Sequence, residues 1–374
     1  MVLKRRIAFA PDRSYLLLGP RRVGKSTYLR HELDVDVFVD LLMSDVFYDY
    51  RARPALLRER YSNVSGTLVI DEIQRIPDLL SEVHWMIENC GMRFILSGSS
   101  ARRLRREGVT NLAGRLRTQR MAPLTWMECR ELFSLDERLQ FGMLPPIVLS
   151  DDPGRDLRDY CGEYLKEEVQ AEGLVRNLPA FTRFLEAAAF NNAELVNYSN
   201  IARDCGVSAK TVAEYYQILK DTLLGFILEP YTRTRKRRAL KTGKFYYFDC
   251  GVSNALLGRV VSPKTPEYGK VFEQFLVLET IHASFYEAGI ERVQYWRSAS
   301  GIEVDLLINE HTAVEFKSGS VHDRDAHGLL ALGEELPLKN RWIVCKEQVP
   351  RILSSGVEVV PWFDYLERLC APDF

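Results

Sequence analysis

The sequence has little that would mark a secreted, membrane-bound or disordered protein. Its seven cysteines, at 90, 129, 161, 205, 250, 345 and 370, are odd in number, and no two form a C-x-x-C pair. That spacing excludes a zinc ribbon, argues against a disulfide framework, and leads us to expect a reducing, cytoplasmic setting. No run approaches the ~18 consecutive apolar residues of a membrane-crossing helix, so no membrane partner is expected. The opening stretch MVLKRRIAFAPDRSY is basic, but its apolar part is too short for a secretory core. An excess of one charge is missing as well. Fifty Lys+Arg against 51 Asp+Glu leave a formal net charge of −1, which excludes a uniformly basic nucleic-acid coat and an acidic solvating tail. At 46% hydrophobic the chain is too apolar to be disordered, and 374 residues exceed the roughly 100–200 of one domain.

What is present is unevenly distributed. Residues 1–150 carry a net charge of +5, residues 151–262 of +1 and residues 263–374 of −7. Two stretches are more basic than their surroundings. One is 102–120, with Arg102, Arg103, Arg105, Arg106, Arg115, Arg117 and Arg120 against Glu107 alone. The other is 233–244, with Arg233, Arg235, Lys236, Arg237, Arg238, Lys241 and Lys244 and no acid.

In the first third, the apolar run 15–18 reads as a buried parallel strand. It is followed at once by Gly19-Pro20-Arg21-Arg22-Val23-Gly24-Lys25-Ser26 and then Thr27. This is G-x-x-x-x-G-K-[ST] in its required setting between strand and helix. Backbone N–H groups of the loop face phosphate, Lys25 reaches the β- and γ-phosphates, and the Ser26 hydroxyl holds Mg²⁺. A second apolar run, 67–70, ends in Asp71 and Glu72, 46 residues after Lys25 at Asp71. Asp71 suits the Mg²⁺-binding acid and Glu72 the general base that polarises water. A third strand over 93–100 ends in Ser97, Gly98, Ser99 and Ser100, where this class of NTPase places a polar sensor; Ser97 and Ser99 are both candidates.

In the middle third, Ala202, Gly206 and Val212 stand at the offsets of a helix-turn-helix, where two helices cross closely. Ser208 is placed to cap the second helix, and Lys210 and Thr211 fall near its exposed start, where base or phosphate contacts occur. Two strand-like runs flank the basic stretch 233–244, so the unit reads as a winged helix with a basic wing. Lys210, Thr211, Arg233, Arg235, Lys236, Arg237, Arg238 and Lys241 are the DNA-contact candidates, reading backbone and shape rather than bases. A lid or protein-docking role is the alternative.

In the acidic third, 269–281 reads as a helix with Glu273 early in it, and 303–308 and 313–318 as a strand pair. Glu315 and Lys317 alternate onto one face, and Asp305 lies ten residues before Glu315 across a short turn. This is the PD-(D/E)XK pattern: Glu273, Asp305 and Glu315 would bind Mg²⁺, and Lys317 would orient water or stabilise phosphorane charge. An internal ion pair in an inherited, non-cleaving fold is the other reading.

The run GPRRVGKST, LVIDEIQRIPDLL, FILSGSS, LAGR and APLTWMEC resembles the prokaryotic AAA+ ATPases of the archaeal-ATPase-like group. The resemblance implies that Arg115, of the AGR element, is the arginine finger supplied to a neighbouring subunit, and hence a ring, with a hexamer as the expected size. FYYFDCGVSNALLG, GKVFEQFLVLE, YWRSASGIEVDLLI and VEFKSG resemble the restriction-endonuclease-like domain that accompanies these ATPases. The expected fold is α/β throughout: an AAA+ P-loop domain over 1–150, a helical winged-helix domain over 151–262 and a PD-(D/E)XK nuclease-like domain over 263–374. The expected function is an ATPase that uses ATP and Mg²⁺ to remodel or translocate DNA, branched or junction DNA included. The alternatives are an ATP-gated, Mg²⁺-dependent nuclease and a nucleotide-driven docking switch without DNA activity.

Overall fold

A computed structural model describes residues 2–99, 114–164, 175, 177–287 and 289–371. The chain divides into two compact units, Met1–Leu124 with Ile218–Leu224, and Thr125–Gln217 with Gly225–Phe374. Apart from 218–224, the segments 151–262 and 263–374 therefore lie in one unit.

The first unit is built on five strands: β1 (Ser14–Leu18), β2 (Val37–Asp40), β3 (Thr67–Asp71), β4 (Arg93–Gly98) and β5 (Leu116–Arg120). Their order is β2-β3-β4-β1-β5, and every neighbouring pair is parallel. A parallel sheet is covered on both faces, which is why β1 and β3 are apolar without alternation and buried at every residue. Leu16, Leu68, Ile70, Phe94 and Leu96 join Leu79, Val83 and Met86 of the helix Leu79–Cys90 in one core. The strand order brings the carboxyl ends of β1, β3 and β4 side by side, where open α/β sheets bind ligands.

The second unit holds an antiparallel pair, β6 (Gly225–Leu228) and β7 (Lys244–Tyr247). It also holds a six-stranded mixed sheet of β8 (Val293–Arg297), β9 (Glu303–Ile308), β10 (Thr312–Lys317), β11 (Asn340–Cys345), β12 (Arg351–Ile352) and β13 (Glu358–Pro361). The order is β12-β13-β11-β10-β9-β8. Asn309 and Glu310, both at positive φ, turn β9 back onto β10. The helix Tyr268–Ala283 is apolar nearly all round and packs on β10 and on the helix Trp362–Leu369. No helix among the described residues is long and apolar enough to cross a membrane.

The fifteen residues between β6 and β7 do not project as a free loop. The N–H of Tyr231 donates to the Tyr295 carbonyl at 2.7 Å, and that of Leu240 to the Arg297 carbonyl at 2.8 Å. The N–H of Ala299 donates to the Arg238 carbonyl, also at 2.8 Å. The segment thus covers the edge strand β8, whose backbone groups would otherwise stand open for mispairing.

Candidate functional site

The loop from Gly19 to Ser26 leaves β1 and enters the helix Lys25–His31. Gly19 is held against the backbone that follows β5: a Cβ there would lie 2.4 Å from the Met121 carbonyl oxygen. Gly24 has φ +98° and Arg22 φ +64°, so the loop passes twice through left-handed backbone. Left-handed residues alternating in this way are the backbone pattern of an anion-binding nest. Lys25 is buried and donates to the carbonyls of Gly19 at 2.7 Å and Pro20 at 2.9 Å. Val23 is buried, Ser26 half-buried and Thr27 exposed. Sequence reasoning missed Arg5: its buried guanidinium donates to the carbonyls of Val23 and, at 2.8 Å, Ala122, pinning the loop from behind.

Asp71 ends β3 with no exposure. Its Oδ1 accepts from the Ser97 hydroxyl, while Oδ2 is buried without a partner. A lone carboxylate oxygen removed from water is costly unless a cation meets it. Together with the Ser26 hydroxyl and Lys25, this donor set fits a Mg²⁺-nucleotide.

Glu72 follows at φ +61°, an unusual backbone for a non-glycine residue and one that clusters at functional sites. Its N–H donates to Ser97 Oγ at 3.2 Å, and its carboxylate accepts from Gln74 Nε2. Gln74 Nε2 also donates to Ser99 Oγ at 3.2 Å. The two serines therefore have different partners: Ser97 holds the carboxylate of Asp71, and Ser99 connects through Gln74 to that of Glu72. Gln74 was overlooked as a site residue, although the DEIQ spacing carried the signal.

Arg115 is exposed just before β5 and pairs with Glu88 at the surface. Gly114 precedes it; the arginines of 102–106 lie outside the described residues.

In the second unit, the helix Tyr198–Cys205 stops at Gly206, φ +66°. The helix Ala209–Asp221 follows, and Ser208 Oγ accepts from the Thr211 N–H at 3.1 Å. Ala202 and Val212 are buried between them, Lys210 is exposed, and the Thr211 hydroxyl pairs with that of Ser208 at 2.9 Å.

The basic stretch splits. Arg235, Lys236, Arg237, Arg238 and Lys241 frame a cleft of about 700 Å³. Arg237 binds Glu334 at 2.9 Å and Glu335 at 3.1 Å, and the N–H groups of Arg235 and Lys236 each donate to Glu335 at 2.7 Å. Arg233 lies 3.6 Å from Glu310. Lys244, counted from sequence with the basic stretch 233–244, is buried. It opens β7, pairs opposite Leu228, and points its side chain into the acidic cluster.

That cluster gathers the nuclease-like residues. Asp305 Oδ2 accepts from the Phe316 N–H at 2.8 Å, and Lys317 Nζ lies 2.7 Å from Glu315 Oε1. Glu315 Oε2 is buried without a partner. Lys244 Nζ pairs with the Glu303 carboxylate and sits 4.0 Å from Glu273 Oε1. Burial, and then the neighbouring Asp305 charge, push the carboxyls of Glu273 and Glu315 well above their ordinary range. Burial pulls Lys244 the other way, but the charges of Glu273, Glu303 and Asp305 outweigh it and keep the ammonium protonated. Among the described residues no three His, Cys, Asp or Glu groups converge as a metal-binding set. Of the residues expected to hold Mg²⁺, Glu273 has the Lys244 ammonium 4.0 Å away, Asp305 accepts from the Phe316 N–H and Glu315 pairs with Lys317.

Three stretches of the chain match known families. Residues 11–130 match the family described as AAA domain. Residues 132–261 and 268–365 match two domains of unknown function, DUF8612 and DUF4143. Uncharacterized proteins of Mycobacterium bovis and Mycobacterium tuberculosis are each 29% identical over 312 residues, 78% of this chain and 67% of theirs. An uncharacterized protein of Methanocaldococcus jannaschii is 23% identical over 336 residues, 81% of this chain and 73% of its own. Among solved structures, the Aeropyrum pernix ORC1 protein in complex with DNA aligns with a TM-score of 0.27 and 14% identity, covering 65% of this chain and 86% of that one.

Proposed function

We propose, from an AAA-type P-loop domain at residues 11–130, that the chain hydrolyses ATP and uses the cycle to act on DNA. One observation carries the hydrolytic reading: the buried, unpartnered Oδ2 of Asp71 at the end of β3, whose Oδ1 accepts from Ser97. Ser26 and Asp71 would hold Mg²⁺, which when bound neutralises phosphate charge. Lys25 exchanges the carbonyls of Gly19 and Pro20 for phosphate oxygens. Glu72 polarises water, and Gln74 and Ser99 fix its carboxylate. Arg115 acts from a neighbouring copy in a ring; its exposed pairing with Glu88 is weak enough to give up.

The expected result is loss of nucleotide binding in Lys25→Ala. In Glu72→Gln, binding survives while turnover falls roughly 10²–10⁴-fold, the usual worth of a general base. Undiminished turnover in both variants would sink the assignment.

The DNA reading rests on the paired helices around Gly206, taken as part of a winged helix, and on the cation-framed cleft of the 229–243 segment. Contact to backbone and shape suits these residues better than base reading. ATP turnover measured with single-stranded, duplex and four-way-junction DNA tests it. Salt-sensitive binding should weaken in Arg235→Ala/Arg238→Ala/Lys241→Ala, with a shallower salt slope. No stimulation and no salt-sensitive binding would leave a nucleotide-driven docking switch as the function.

A further inference from the structure

We propose that the Lys244 ammonium is the resident cation of the acidic cluster at β9 and β10, so that this nuclease-like site takes no divalent metal and instead clasps the β6–β7 pair to the six-stranded sheet.

The position of Lys244 is fixed on both sides. It pairs opposite Leu228 within the hairpin and forms a bridge to Leu195. Its buried side chain meets the Glu303 carboxylate, Glu273 Oε1 at 4.0 Å and the face of the Tyr295 ring at 5.3 Å. A buried lysine is tolerated only with acidic partners, and carboxylates gathered around the buried Asp305 repel one another unless cations stand between them. Here each supplies what the other lacks. Glu303 also takes Arg297 at 3.0 Å, and Glu315 takes Lys317. Three cations from the chain itself thus face four carboxylates: Glu273, Glu303, Asp305 and Glu315. A divalent ion placed among the same oxygens would meet the ammonium at close range and be repelled. Removing Lys244 would free Glu273 and leave Glu303 with Arg297 alone, and the unpartnered Glu315 Oε2 would become a further ligand. The inference is independent of ATP hydrolysis, because it concerns a different unit and different residues.

The test is Mn²⁺ titration of the full chain without nucleotide, followed by paramagnetic resonance. An Asp71→Asn background removes the P-loop's own metal acid. The parent should show no Mn²⁺ binding that depends on Asp305. Adding Lys244→Met should create one site, tightening Mn²⁺ binding by roughly tenfold or more, and Asp305→Asn on top should abolish it. Asp305-dependent Mn²⁺ binding by the parent overturns the proposal. So does a folded Lys244→Met chain that gains no site, or DNA cleavage by the parent that disappears in Asp305→Ala. If Lys244→Met does not fold, the comparison of parent with Asp305→Asn still decides the matter.

Discussion

Asp71 and Glu72 are adjacent in the chain yet answer to different partners, because the backbone turns left-handed between the end of β3 and the short helix after it. Asp71 is tied to Ser97 and keeps one oxygen open; Glu72 is tied to Gln74. Under the proposed mechanism Gln74 acts as a positioning residue, since its amide binds Glu72 and Ser99. Gln74→Ala should lower kcat by roughly tenfold while KM for ATP stays within about twofold, because only orientation of the base is lost. Steady-state kinetics check this; a matching rise in KM would mean that Gln74 shapes the nucleotide pocket instead. The P-loop and the acids at the end of β3 were legible in the sequence because each set is contiguous and sits on a run of apolar residues. The choice between Ser97 and Ser99, and the role of Arg5, were not. Both depend on contacts across strands, and Arg5 reaches Ala122 from the far end of the unit's sequence.

At the scale of elements, the 229–243 segment shows how a charge run misleads. A row of cations without acids reads as a solvated wing. Part of it is spent internally, on Glu335 through two backbone N–H groups and the Arg237 guanidinium. Glu335 is itself buried, so its loss would strand those donors. Glu335→Ala should destabilise the second unit by roughly 1–3 kcal/mol and expose the segment to trypsin, whereas Arg238→Ala should leave it protected. Limited proteolysis with denaturant unfolding reads both outcomes. Equal trypsin sensitivity in the two variants would show that the segment is held by its contacts to β8 alone. The pairing of acids with a lysine on β9 and β10 was legible from strand alternation and spacing. The intruding Lys244 was not, since it enters from β7, 61 residues before Asp305.

For the molecule as a whole, the near-zero net charge conceals an acidic C-terminal third that buries Glu279, Asp305 and Glu335. Glu279 is the simplest case, away from the cluster. Burial, with Glu128 adding to it and the Trp126 N–H opposing, pushes its carboxyl up to about 8. The folded state therefore holds a proton that the unfolded state releases near pH 4.5. The stability contribution is full below that value and is lost as pH rises toward 8, at up to about 1.4 kcal/mol per pH unit. Glu279→Gln keeps an acceptor for Trp126 and removes the titration. Its melting temperature should match the parent's near pH 5 and exceed it near pH 8.5. Parallel pH profiles for the two chains would show that Glu279 stays charged when folded.

By itself the sequence determined the parallel P-loop sheet, its nucleotide loop and the candidate acids. Those features are local: a few neighbouring residues with a fixed period or spacing dictate backbone shape and burial. Tertiary structure alone decided which serine serves which acid, that the basic segment is anchored rather than free, and that an ammonium stands among the nuclease-like carboxylates. Each of those outcomes is an electrostatic or hydrogen-bond pairing between residues far apart in the chain. Such pairings are settled by which groups lose water together on folding, and one-dimensional spacing carries no record of that.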